Sequence, residues 1–185
     1  MSSSAGSGFG VIALALASAF AAWPFPAAGL SSDRDQPMYI EADRADINDK
    51  KGISIYTGNV KVTQGTFELL ADKLTVYIEK DQLQKAIAIG QPAHYRQRPD
   101  GKDEDIEAQA LRMEYYASPE RIILLERAQA SQAGDVFRSE KIVYDIEKNV
   151  VNAGTGSGND RVHITLQPRK KEPATTADGK SQKSQ

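Results

Sequence analysis

The sequence predicts an all-β fold built from bent antiparallel strands. Three observations carry that expectation. Apolar residues alternate with polar ones over long stretches, the period of a half-buried strand. A unit of roughly thirty residues recurs, a spacing that argues for stacked or wound β-structure. Within each copy the alternation slips once, at the same place, as a β-bulge or corner requires if apolar side chains are to return to the inner face of a bending strand.

The clearest copy is a hairpin. Ile55 and Thr57, then Val60 and Val62, alternate with polar residues on either side of a Gly58-Asn59 break. Gln64-Gly65 follows as a turn, and Phe67, Leu69 and Ala71 begin the return strand. The expectation is two apolar rows on one face. Aligned on a small residue, Ile40-Glu41-Ala42-Asp43, Leu69-Leu70-Ala71-Asp72, Ile106-Glu107-Ala108-Gln109 and Phe137-Arg138-Ser139-Glu140 superpose. Their continuations match too: Ala45 and Ile47, Leu74 and Val76, Leu111 and Met113, Ile142 and Tyr144. These read as four bent strands.

The remaining elements follow in chain order. Residues 30–36 are a polar lead-in, and Pro37 opens an edge strand over 38–46, because a proline at a strand start costs no ladder bond. Asn48 to Gly52 is a turn. After the hairpin, Lys80-Asp81-Gln82 turns the chain into a strand over 85–89, and Gly90-Gln91-Pro92 breaks it before a further strand over 93–97. The segment 104–116 also fits a helical face through Ile106, Ala110 and Met113, but its repeat counterparts are strand-like, so it is read as a strand. The segment 121–132 is the degenerate copy of 55–64, with Glu126-Arg127 where Gly58-Asn59 stood. Strands over 141–147, 149–152 and 161–167 complete the sheet.

Length and composition bound the rest. The chain has 185 residues, which leaves room for one domain, placed at 35–167, with a single hydrophobic core. Its formal net charge of −2, with both signs interspersed, gives no broad basic face for nucleic acid. It contains no cysteine, which removes disulfides and thiolate chemistry. Val11 to Ala22 is an apolar, alanine-rich run followed by Trp23-Pro24 and Ala27-Ala28-Gly29, the pattern of a secretory signal over 1–29 with cleavage at 21–29. The run lacks a preceding Lys or Arg, and it is shorter than the roughly twenty apolar residues of a membrane anchor. Residues 168–185 are expected to be a disordered basic tail.

Candidate chemistry is sparse. His94 and His163 fall in different strands with no base-nucleophile pairing. The carboxylates of Asp103-Glu104-Asp105 are consecutive, a spacing that suits a solvated loop tip rather than a cation. The glycine-rich run 154–160 lacks the Gly-Lys-Ser/Thr ending and the following helix of a phosphate loop. No enzyme activity, cofactor or metal is expected. What stands out is an apolar interior: Met38, Ile40, Phe67, Leu69, Leu74, Val76, Ile87, Ile89, Tyr95, Met113, Tyr115, Ile122, Leu124, Ile142 and Tyr144. Either these residues pack on one another, or the layers splay into a groove for an acyl-chain ligand. Alternation alone leaves both open.

The segments Asp35 to Asp43, Tyr56 to Gly65 and Ala71-Asp72-Lys73, together with the repeat, resemble the OstA-like domain of the LptA family of periplasmic lipopolysaccharide-transport proteins. The likeness covers residues 35–167. It implies a twisted antiparallel β-jellyroll, open at both ends, whose interior carries lipid A between the inner and outer membranes in the periplasm. It also implies head-to-tail self-association and docking to LptC and to the periplasmic domain of LptD. On that view the interface strands hold Met38, Tyr39, Ile40 and Glu41 at one edge and Arg161, Val162, His163, Ile164 and Leu166 at the other. Met38, Tyr95 and Ala117 map to lipid-facing positions. Two alternatives remain: a membrane-anchored LptC-like relative that keeps 11–22, and a jellyroll enzyme acting on cell-surface glycans, which needs a facing carboxylate pair that is not apparent.

Overall fold

A computed structural model describes residues 31–148, 150–155 and 160–168. The expected export segment, the tail beyond 168 and most of the glycine-rich run therefore lie outside the described residues. A short 3-10 helix, Ser31–Asp35, leads into strands β1 (Tyr39–Glu41) and β2 (Arg44–Asn48). Six longer strands follow: β3 (Ile53–Gln64), β4 (Phe67–Glu79), β5 (Gln82–Gln97), β6 (Ile106–Ala117), β7 (Glu120–Gln132) and β8 (Asp135–Asp145). Two short ones, β9 (Val150–Ala153) and β10 (His163–Thr165), end the described chain. No helix among the described residues is long and apolar enough to cross a membrane.

All pairings are antiparallel and join the strands into one sheet, ordered β1-β3-β4-β5-β6-β7-β8-β10, with β2 also on β3 and β9 also on β8. Every long strand is bent. The ladder shifts register between Thr57 and Val60, Leu70 and Lys73, Ile89 and Ala93, Gln109 and Arg112, and Leu125 and Ala128. These positions are neighbours across the sheet, so the shifts form one crease. Its inner side is lined by small residues: Ala71, Ala93, Ala110, Ala128 and Ser139 are all buried. Small side chains belong there because the backbone of the two flanks converges at the crease. Gly90 shows how close the approach is, since a Cβ on it would lie 2.6 Å from the Ala93 amide nitrogen.

The shared phase slip is therefore real, and two of its details change. In β6 the inward residues are Ala108, Ala110 and then Met113, so the slip falls two residues later than the alignment on Ala108 implies. In β3, Tyr56 pairs with inward Leu74 and packs against the core, whereas Ile55 pairs with Thr75 on the outer face. The edge strand expected over 38–46 splits into β1 and β2 at Ala42-Asp43, where Asp43 N–H donates to the Gly58 carbonyl. Conversely, the two strands expected at 85–89 and 93–97 are one, because β5 runs through its bulge without losing either partner. The segment 104–116 is strand, as the repeat required.

The outer face carries its own polar network. Glu114 is nearly buried, accepts hydrogen bonds from Arg112 (2.5 Å) and Tyr116 (2.5 Å), and lies 3.6 Å from Lys85. Burial pushes its carboxyl up, but those hydrogen bonds and the two cations outweigh it and hold the group below its ordinary value. Lys85 and Arg121 flank the Tyr116 ring at 4.5 and 4.7 Å. The network ties β5, β6 and β7 together.

Candidate functional site

Folding the sheet along its crease brings residues from both flanks around one cavity of about 730 Å³. Phe67 and Leu69 enter it before the bend in β4 and Leu74 after it; Ala108 and Met113 do the same in β6. Most of the wall is apolar, as the alternation dictates once the slip is included. Of the fifteen residues expected in the interior, Met38, Phe67, Leu69, Leu74, Tyr95, Met113, Tyr115, Ile122, Leu124, Ile142 and Tyr144 line this cavity. Val76 packs against the core beside it. Ile40, opposite Val62, shares the inner face but is 37% exposed at the sheet edge. Ala117 is also in the wall.

Ile87 and Ile89 are corrections. In this part of β5 the wall residues are Ala86 and Ala88, paired with Val76 and Leu74 on one side and with Tyr115 and Met113 on the other. The isoleucines therefore stand on the outer face, opposite Thr75 and Lys73. The stretch Lys85-Ala-Ile-Ala-Ile is apolar at both parities, so its own alternation could not decide. The parity of its neighbours, Leu74 and Met113, would have. Small residues on the inner face leave the groove open where isoleucines would fill it.

Sequence reasoning missed other wall residues, among them Ile106, Ala130, Phe137 and Val151. Phe137 was legible, because it aligns with Leu69 in the repeat. It also missed the polar rim. The 3-10 segment is no mere lead-in: Asp33 is 4% exposed. It accepts hydrogen bonds from Thr66 N–H (3.0 Å), Thr66 Oγ1 (2.6 Å) and Gln97 Nε2 (3.3 Å). Burial raises the Asp33 carboxyl, yet these donors prevail and leave it below its usual value. Burial also drives the Tyr95 phenol well above its ordinary range, with the Asp33 charge adding to the effect. Tyr95 Oη donates to Gln97 (2.7 Å), and its ring meets Phe67 at 5.7 Å.

The two sheet edges are open. At one, Met38 and Tyr39 are 53% and 62% exposed; at the other, Ile164 and Leu166 are 54% and 58% exposed. Glu41 and Tyr39 pair with Lys61 and Thr63, while His163 and Ile164 pair with Arg138 and Phe137. Arg161, Val162 and Leu166 flank β10, which is shorter than the expected 161–167. His94 and His163 are separated by β6, β7 and β8, and no group of three or more His, Cys, Asp or Glu gathers among the described residues. Asp105 of the carboxylate run is held by Arg96 (2.9 Å) and Arg98 (2.8 Å).

Comparison with known proteins places this geometry. Residues 39–150 match the model of the LptA/(LptD N-terminal domain) LPS transport protein family. The chain belongs to this family. It is 37% identical over 153 residues to the lipopolysaccharide export system protein LptH of Pseudomonas aeruginosa, covering 78% of this chain and 87% of that one. It is 31% identical over 157 residues to the lipopolysaccharide export system protein LptA of Escherichia coli K12, covering 84% of each. The crystal structure of LptH, described as a periplasmic component of the lipopolysaccharide transport device, superposes with a TM-score of 0.65 at 36% identity. It covers 74% of this chain and 99% of that one. The creased antiparallel sheet is thus the jellyroll-like fold of a family of transport proteins.

Proposed function

We propose that the chain is a periplasmic lipopolysaccharide carrier that shelters the acyl chains of lipid A in its creased groove. It would form part of a bridge from the inner-membrane complex to the outer-membrane translocon. One observation carries the reading: the apolar cavity of about 730 Å³ is walled by both flanks of a sheet whose two edges carry no further strand among the described residues. Each methylene exposed to water costs about 0.8 kcal/mol, so a multi-acylated lipid needs an apolar path across an aqueous gap.

The edges support the bridging part. β1 runs antiparallel to β3 and β10 antiparallel to β8, and five antiparallel steps separate β3 from β8. β1 and β10 therefore run in opposite directions, so β10 of one copy can continue the antiparallel alternation on β1 of the next. In this reading LptC and the periplasmic domain of LptD take the terminal edges, head-to-tail copies take the internal ones, and the export segment at 1–29 delivers the chain.

The test uses the full chain with a photo-crosslinking amino acid at Tyr95 or Met113, exposed to lipopolysaccharide. Ile87, on the outer face of the same sheet, is the control. Crosslinking at the two inner positions and not at Ile87 is expected. Equal signal at all three would make the cavity an incidental gap in a packed core.

A further inference from the structure

Nearly every polar group around the groove already has a partner. Asp33 is satisfied by Thr66 and Gln97, Tyr95 by Gln97, and Glu120 accepts from Tyr115 Oη at 3.2 Å. Arg34 differs. It is the one cation among the described residues that line the cavity, and it is exposed at the rim. It forms no ion pair or hydrogen bond with any described residue. Its charge is nonetheless felt inside: burial and Glu120 raise the Tyr115 phenol, and Arg34 pulls it the other way.

Its neighbour explains why it stays there. Asp33, one residue earlier, is pinned to the β3–β4 turn and to the end of β5, so the backbone that carries Arg34 is fixed against the groove. A guanidinium held at the rim of an apolar channel, with its donors unclaimed by any described residue, suits an amphiphile whose anionic head lies where the chains enter. Its planar fork of donors matches phosphate oxygens in particular.

We propose that Arg34, positioned by the Asp33 latch, is a specificity residue that recognises a phosphate group on the head of the lipid in the groove. The inference rests on the carrier reading above and adds to it. Apolar burial holds the chains without regard to headgroup. Arg34 supplies the preference for a phosphorylated one.

The experiment titrates the full chain, preloaded with the neutral fluorophore Nile red, with bis-phosphorylated lipid A and with the same lipid A after phosphatase treatment. The unmodified chain is expected to bind the phosphorylated form about tenfold more tightly, the scale of one charge-assisted pair at a partly exposed site. Arg34→Gln should abolish that preference by weakening only the phosphorylated form, and Arg34→Lys should restore part of it. Thr66→Val, which keeps the Arg34 side chain but removes a hydrogen bond from the Asp33 latch that positions it, should reduce the preference without changing affinity for the dephosphorylated lipid. Equal binding of the two lipids by the unmodified chain, or an equal loss for both on Arg34→Gln, overturns this inference and leaves the carrier reading standing. If neither lipid displaces the fluorophore, both readings are overturned.

Discussion

The bend in β3 and the bend in β7 solve one geometric problem with different residues. In the first, Gly58 and Asn59 take φ of 80° and 44°; in the second, Glu126 and Arg127 take φ of 63° and 55°. Both pairs sit at the register shift that makes the crease, between Thr57 and Val60 and between Leu125 and Ala128. Left-handed backbone is nearly free for glycine, tolerable for asparagine, and costs other residues about 1 kcal/mol or more. Surrounding structure imposes the conformation on the second pair, since the crease runs through every neighbouring strand. A bend that is locally encoded in one strand is thus enforced from outside in the other.

The turns that precede the return strands differ in a parallel way. The β3–β4 turn is gripped from the N-terminal side by Asp33. The β7–β8 turn is gripped from the C-terminal side, where Gln167 N–H donates to Asp135 (2.6 Å) and Gln167 Nε2 donates to the Gly134 carbonyl (3.3 Å). One clasp uses a buried carboxylate, the other an exposed pair.

Gly58→Val should break the comparison most sharply. A Cβ there would lie 2.2 Å from Asp43 Oδ2 in addition to the left-handed strain. The displaced carboxylate would also lose its hydrogen bond from Asn59 Nδ2 (2.9 Å). A loss of about 2–3 kcal/mol is expected, read as a lower urea midpoint at unchanged slope. A loss no greater than about 0.5 kcal/mol would mean that the first bend, like the second, is imposed from outside.

Asp33→Asn comes next. Removing the charge from a buried carboxylate with three donors should cost about 1–2 kcal/mol near neutral pH. The folded-state value of Asp33 is depressed, so its contribution is complete above the unfolded value of about 4 and is lost as pH falls through the folded one. The gap in stability between the unmodified chain and Asp33→Asn should therefore be constant from pH 7 to about 5 and close on further acidification. A gap independent of pH would assign the effect to packing instead. The clasp at Gln167 holds no comparably buried carboxylate and predicts no such closure for Gln167→Ala.

These contrasts also explain how much could be read in advance. The repeat gave the strands and most of the inner wall, because a period of two with a shared slip is a local signal that survives in single residues such as Leu69, Leu74 and Met113. Ile87 and Ile89 were misplaced because their segment is apolar at both parities, and only its neighbours across the ladder settle its face. The split between β1 and β2 depends on Asp43 meeting Gly58, fifteen residues away in sequence. The Asp33 clasp joins residues 33, 66 and 97, contacts with no local pattern. Arg34 inherits its place from that clasp and was equally invisible.

Glu126→Gly is the smallest of these changes and the most discriminating. If the second bend is enforced at a cost, giving it the residue type of the first should relieve left-handed strain of about 1–2 kcal/mol. Glycine loosens the unfolded chain and returns about 0.4–1 kcal/mol of that. Glu126 is exposed and forms no ion pair among the described residues, so little else is lost. The expected net effect is a gain of about 0.5–1 kcal/mol, against the general trend for substitution into a strand, where glycine destabilises. A thermal midpoint that rises would establish that the crease, and not the sequence at 126–127, dictates the bend. A fall would mean that Glu126 stabilises its own conformation, and the two bends would then be encoded alike.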